Sequence, residues 1–497
     1  MATTAPSTAS PRRNLTLVAM IFAVAMMFID QTIVSLAIPS LSGELTLSAT
    51  GAQWIVNGYL LSLAAFFILG GKLADTLGHR KMLYVGVTGF AVCSALCGAT
   101  PTGSGGEAWI IFFRIAQGAF AALLFPAALA TVTAAFPREQ RGRALALFFG
   151  ITGALTAVGP LTGGYLTEWT WRAIFWINVP VAIIALILTA RAKPEERKVA
   201  APIDRRGAFL SAAAFGLIVL GLQQSATWGW VDVRTIASLV AGVAVLAAFI
   251  AFELRAATPL VDLRIFAQRA FAGDSAVLLL MSAVFVPFFF FASVYAQAAL
   301  GESATKAGTF LLVFFIGFVA AAQLGGRIVD TRGARASVVI GCLVAAAGFL
   351  LWAGKVPGMD FGTQWHALLI AGAGLGMVLG PASTDALNRG PSSAYGEITG
   401  ITQTARNLGA SLGLAVMGSI FTSQSAGYRP AEVADATQTV AYIMAGIMVV
   451  CFVVARRFMV AGTSHQLNGD APAVAAALAQ FPHARVRRAV VRRTRRP

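Results

Sequence analysis

Fourteen apolar runs, each close to the length of a membrane-crossing helix, account for most of this chain. They lie near 15–38, 51–71, 82–99, 108–136, 144–166, 173–190, 207–225, 235–252, 271–299, 305–325, 336–354, 365–387, 398–423 and 437–455. At 1.5 Å per residue, a run of about 20 apolar residues matches the hydrocarbon core of a bilayer. Backbone N–H and C=O groups find no water there, so each run is expected to be a helix that satisfies its own hydrogen bonds. The fold expected is an all-α polytopic membrane protein. Of the 497 residues, 57% are hydrophobic and 12% charged, and the 50 glycines let membrane helices pack closely.

The net charge of +16 raises the question of nucleic acid, but the charges alternate from loop to loop. One side, comprising the amino-terminus, the loops after even-numbered runs and the carboxyl tail, holds 30 of the 37 Lys and Arg. The other side holds Arg172, Arg234, Lys306, Lys355 and Arg429, while Arg114 and Arg406 fall within runs. Such asymmetry places the crowded side, with both termini, in the cytoplasm. The tail ends in Arg485-Val-Arg487-Arg488 and Arg492-Arg-Thr-Arg-Arg496 without interleaved aromatics. Its expected partner is anionic lipid, at about 1 kcal/mol per charge, rather than nucleic acid.

The first run follows Arg12-Arg13 as a signal peptide would, but it stays apolar to Ile38 and reads as a retained helix. Cys93, Cys97, Cys342 and Cys451 all lie inside runs with no histidine beside them, so they read as packing residues and no metal is expected.

A charged hairpin occurs twice. Gly71-Lys-Leu-Ala-Asp75-Thr-Leu-Gly78-His-Arg80-Lys81 reappears 255 positions on as Gly326-Arg-Ile-Val-Asp330-Thr-Arg-Gly333-Ala-Arg335, and Pro126 and Pro381 share that shift. A repeat of this size points to two membrane halves related by duplication. The expected organisation is a cytoplasmic amino-terminus (1–14), a six-helix bundle (15–190), linkers and a two-helix insert (191–270), a second six-helix bundle (271–458) and a basic cytoplasmic tail (459–497). The insert runs carry no ionisable residue and are expected to pack or plug rather than transport.

In the first hairpin, Gly71 and Gly78 permit a tight turn. Asp75 can accept backbone N–H groups at a helix start and pair with a cation such as Arg80 or Arg141. With Lys81, Asp330 and Arg335 these form a candidate latch favouring one orientation of the halves. The plainer alternative is that they only fix topology.

These hairpins resemble the loop signature of the major facilitator superfamily. Arg114-Ile-Ala-Gln117-Gly118 is similar to its Arg-x-x-Gln-Gly motif. Gly159-Pro160-Leu-Thr-Gly163-Gly164 resembles the antiporter motif Gly-Pro-x-x-Gly-Gly, although Leu155 replaces the usual upstream glycine. Phe28-Ile-Asp30 through Pro39, and Trp171 through Asn178-Val-Pro180, are similar to signatures of the fourteen-helix drug:proton antiporters. The resemblance implies the major facilitator fold in a bacterial inner membrane. It also implies efflux of amphipathic drugs, dyes or antibiotics, driven by the proton gradient with no cofactor.

Single residues bear on the same function. Asp30 lies about 24 Å along the first helix, where an isolated carboxylate is costly unless protonated, paired or wetted. Arg114 is its natural counter-charge, and the pair is the candidate proton-coupling site, with a permanent structural pair as the alternative. Asp274 and Asp385 lie near helix ends and are expected to reach water as anchors. Arg406 is a candidate substrate contact if it faces the cavity between the halves, with snorkelling toward an interface as the alternative. Gly159, Pro160, Gly163 and Gly164 suit a gating seam or ordinary helix packing.

Gln53, Trp54, Asn57 and Leu61, together with Phe288, Phe291 and Tyr295, form stripes suited to a cationic or aromatic amphipathic substrate. Aromatic stripes of this kind also occur at lipid and helix contacts. Trp169, Trp171 and Trp176 are expected in the outer aromatic belt. A facilitator-type importer of a small metabolite is the alternative function. A membrane enzyme would need clustered acids, histidines or a metal set, and His366 has no such company.

Overall fold

The computed structural model describes residues 9–462, except 46, 48, 104, 195–203, 257, 303, 391–393 and 426–428. The expectations for the basic tail, and for most of the linker before the insert, fall outside the described residues. Every regular element among those described is helical. The first part holds α1 (Ala9–Leu45), α2 (Ala49–Leu77), α3 (His79–Gly98), α4 (Gly106–Ala135) and α5 (Arg138–Trp169). One further apolar run is shared by α6 (Ala173–Trp176) and α7 (Asn178–Ala192). Then come α8 (Arg205–Trp228), α9 (Val233–Glu253) and a short 3-10 turn (Leu263–Ala267). The last part holds α10 (Arg269–Ala298), α11 (Ala304–Arg332), α12 (Ala334–Lys355), α13 (Phe361–Asn388), α14 (Tyr395–Gln424) and α15 (Pro430–Phe458).

Turn chemistry sets several boundaries. Gly78 and Gly333 adopt φ of +107° and +86°, conformations that side chains disfavour, and each begins the helix after a repeated hairpin. Asp204, Asp232 and Asp360 cap α8, α9 and α13 by accepting N–H groups of the first turn.

Helices α1 to α7 pack on one another, as do α10 to α15. The two sets meet chiefly through α2 against α14 and α5 against α11, with α13 also touching α5. The insert does not plug this junction. Helix α8 lies against α2 and α14 at its side, and α9 packs on α8 with Ile236, Val240, Val243 and Ile250 exposed. That outward apolar face is what lipid would cover.

Twelve of the described helical segments are long and apolar enough to cross a membrane, two fewer than expected. The two outside this set are α5 and α14, although they are 32 and 30 residues long. In α14 the first half of the helix carries Thr399, Thr402, Gln403, Thr404, Arg406 and Asn407, which dilute its apolar residues, while several side chains of α5 lie outside the described residues.

Candidate functional site

Asp30 lies on α1 with no solvent exposure. Helix α4 presents Arg114 and Gln117 three residues apart, hence on one face, and both reach it. Arg114 Nη1 donates to Asp30 Oδ2 at 2.5 Å, and Gln117 Nε2 donates to Oδ1 at 3.1 Å. Asn178, the first residue of α7, approaches Oδ1 at 3.5 Å and donates to Ser94 Oγ on α3 at 2.9 Å. Arg114 is equally buried. Its Nε donates to the Ile55 carbonyl on α2 at 2.8 Å, and its guanidinium lies 4.4 Å from the Tyr59 ring centroid.

Side chains of α4 and α7 thus meet one carboxylate of α1, and the network continues to α2 through Arg114 and to α3 through Asn178. A buried carboxylate and guanidinium hold their charges only when such additional donors and acceptors complete the pair. Removing either charge leaves the other unbalanced in an apolar surrounding. The arrangement can therefore report a single proton as a change in how α1, α4 and α7 are tied.

A second site lies where the halves meet at the hairpin end. Asp75 accepts the backbone N–H groups of Gly396 and Glu397, at 2.8 and 2.7 Å, in the first turn of α14. The positive end of that helix suits a carboxylate. His79 Nε2 lies 2.9 Å from the same carboxylate. Lys72 Nζ donates to Glu397 Oε2 at 3.2 Å, and Glu397 Oε1 accepts the Asp262 N–H at 2.7 Å. The linker after the insert is thereby fastened to the same knot.

The cations expected beside Asp75 are elsewhere. Arg80 lies over the Tyr84 ring and Lys81 is exposed. Arg141 donates to Asn388 across the junction and lies over Tyr395. The second hairpin is built differently. Asp330 faces Gly142 of α5, where a Cβ would come within 2.7 Å of its Oδ1, and Arg335 donates to the Arg456 carbonyl on α15. No hydrogen bond of Asp330 matching that of Asp75 is seen among the described residues.

Residues 20–414 match the Major Facilitator Superfamily. The chain belongs to that superfamily. It is 36% identical over 428 residues to the tetracenomycin C resistance and export protein of Streptomyces glaucescens, covering 85% of this chain and 78% of the relative. It is 34% identical over 443 residues to the cephamycin export protein CmcT of Amycolatopsis lactamdurans, covering 84% and 88%. Among solved structures, the proton:xylose symporter XylE shares the fold at a TM-score of 0.65 and 14% identity, covering 92% of this chain and 97% of that one.

In this superfamily member several expected contacts are core instead. Phe288, Phe291 and Tyr295 have no exposure. Phe288 stacks on Phe314 and meets Trp352, while Tyr295 Oη donates to the Val356 carbonyl and accepts from Gln364. They fill the interior of the second half in the described conformation. Trp54 and Asn57 are half-buried on α2, and the side chain of Gln53 lies outside the described residues. Trp169 and Trp176 are exposed, as a belt requires. Trp171 is buried instead, because its Nε1 donates to Glu44 at 2.7 Å.

The close approach of α5 to α11 is made by Gly142, Gly150 and Gly153, facing Val329, Ala322 and Phe318. Gly159 and Gly163 are buried farther along α5, while Pro160 and Gly164 lie outside the residues whose burial is described.

Asp274 and Asp385 are not water-facing anchors. Both are buried, and they share Arg389, whose Nε donates to Asp274 at 3.0 Å and Nη2 to Asp385 at 2.6 Å. Arg406 turns toward the junction of the halves instead of snorkelling. Its Nη1 donates to Gln403 and its guanidinium lies 5.9 Å from the Phe149 ring centroid on α5.

Sequence reasoning did not single out Lys72, Glu397, Ser94, Tyr59 or Arg389 for a role. A usable signal existed only for Arg389, the one cation a helical turn from Asp385.

Proposed function

We propose that this chain is a proton-coupled antiporter that exports amphipathic drugs, dyes or antibiotics across the bacterial inner membrane by alternating access. In this reading it has fourteen crossings, with the hairpin end and both termini in the cytoplasm. The observation that carries it is the fully buried Asp30–Arg114 pair, completed by Gln117 and Asn178. The names of the relatives support export, and the loop charges support the orientation.

The knot around Asp75 closes the cytoplasmic end, so the described conformation corresponds to the outward-facing half of the cycle. A proton entering from outside neutralises Asp30 and frees Arg114 from its charged partner. That loosens α1 from α4 and α7 and favours reopening toward the cytoplasm. Release of the proton inside restores the pair. One proton moving down one pH unit and 100 mV supplies about 1.4 and about 2.3 kcal/mol, enough for a gradient of a few hundredfold.

Proteoliposomes with an imposed pH gradient and a fluorescent dye test this. Asp30→Asn mimics the protonated form and is expected to retain dye binding while losing gradient-driven accumulation. Concentrative transport by Asp30→Asn near the wild-type rate would move the proton site elsewhere.

A further inference from the structure

Among the described residues, the second half contains a cation within a membrane-spanning run that has no acid beside it. Arg406 lies eleven residues into α14, about 16 Å from its hairpin end. Phe149 on α5 and Ser282 on α10 lie about 16 and about 20 Å from the same end, so three helices bring these residues to one depth. That level is past Gly400, which touches Phe67 and Ile68 of α2, and so past the closed end.

The polar partners of Arg406 are neutral. Gln403 Oε1 accepts at 2.7 Å and Ser282 Oγ at a long 3.4 Å. Among the described residues no carboxylate lies within ion-pairing distance, in contrast to Arg114, Arg389 and Lys72. A guanidinium offers five N–H donors in a planar fork matched to an oxyanion, and these two contacts leave part of the fork unused. The side chain is partly accessible and belongs to neither half's core. Inside a membrane such a charge faces a water-filled cavity or meets a counter-charge.

We propose that Arg406 is a substrate-binding residue that takes the acidic group of an organic anion, so that the exported cargo carries a carboxylate, sulfonate or ionised phenol. The inference rests on the efflux reading and names the charge class of its substrate.

The test uses two xanthene dyes of opposite charge, carboxyfluorescein and rhodamine 6G, in proteoliposomes under an imposed pH gradient. Wild-type protein is expected to move carboxyfluorescein. Arg406→Gln is expected to lower that movement about 10- to 100-fold, the worth of a charge-assisted contact, while changing rhodamine 6G movement little. Arg406→Lys, which keeps the charge but not the fork, is expected to restore part of it. Rhodamine 6G movement also serves as the folding control for both variants. Transport of rhodamine 6G but not carboxyfluorescein by the wild type overturns the anion assignment and leaves efflux standing. So does an equal loss of both dyes in Arg406→Gln without recovery in Arg406→Lys, which marks a structural arginine. Movement of neither dye by the wild type counts against efflux and removes this inference with it.

Discussion

Asp75 accepts the backbone N–H of Glu397 at 2.7 Å across the junction of the two halves, 322 positions away in the chain. In the proposed alternating-access cycle the bond is made only while the hairpin end is closed, so its strength is expected to bias the closed form without building any part of the path. Asp75→Asn keeps the shape but loses the charge, and one of the two acceptor oxygens becomes a donor facing an N–H. Charge-assisted hydrogen bonds contribute about 1.5–3 kcal/mol, so the closed-to-open ratio is expected to fall roughly tenfold or more. Spin labels on exposed residues at the ends of α2 and α14 would read this as a longer distance. An unchanged distance distribution would leave the hairpin with topology alone.

Asp274 and Asp385 are two buried carboxyl groups that share the single guanidinium of Arg389. Arg389→Gln strands two buried carboxylates, and breaking a buried pair costs about 3–5 kcal/mol. Asp274→Asn leaves the neutral Arg389–Asp385 pair and is expected to be tolerated. Melting curves in detergent should show a large loss for Arg389→Gln and partial recovery when Asp274→Asn is added. A double variant no better than Arg389→Gln would mean that charge imbalance is not the cause.

What was legible in the sequence follows from what lipid forbids. Asp30 and Arg114 stand out because a charge inside an apolar run demands a partner, and each half-run offered few. Glu397 did not stand out, since it borders a run and looks like a loop acid, and its partner Lys72 is 325 positions away. The Phe288, Phe291 and Tyr295 stripe misled for a different reason. In a soluble helix polarity tells inside from outside, but here lipid, bundle core and substrate path all accept aromatic surface. Only packing distinguishes them, and the neighbours that bury these rings come from α11, α12, α13 and α14.

At the opposite end, Glu44 ties the end of α1 to the turn before α6. Arg172 Nη2 and Trp171 Nε1 both donate to it at 2.7 Å, and these bonds hold its carboxyl below the usual carboxylate range. Because the folded value is depressed, the stabilisation is present above about pH 4.3, the ordinary value, and is lost as pH falls through the folded one. The glutamate is substantially exposed, so the contribution is about 1 kcal/mol or less. Glu44→Gln is expected to melt below wild type at pH 7, with the two curves converging in acid. A constant difference across the acid range would detach the effect from this carboxylate's charge.

Gly70 and Gly71 are neighbours on α2 that face different partners. A Cβ on Gly70 would run into the Ala122 carbonyl of α4, inside the same half. A Cβ on Gly71 would run into the Gly396 carbonyl of α14, in the other half. Overpacking a fixed interior costs about 1–3 kcal/mol, because backbone must shift to relieve it. Gly70→Ala is therefore expected to lower melting temperature and yield. The Gly71 clash disappears when the hairpin end opens, so Gly71→Ala is expected to keep the fold while shifting the halves toward the open form. A shift of about 1.4 kcal/mol would change that ratio tenfold. Accessibility of a cysteine placed at Ile68, buried where α2 meets Gly400, provides the readout beside thermal melting. The two substitutions should separate, Gly70→Ala moving stability and Gly71→Ala moving cysteine labelling. If both move only stability, the α2–α14 contact is a permanent one and cannot be the gate.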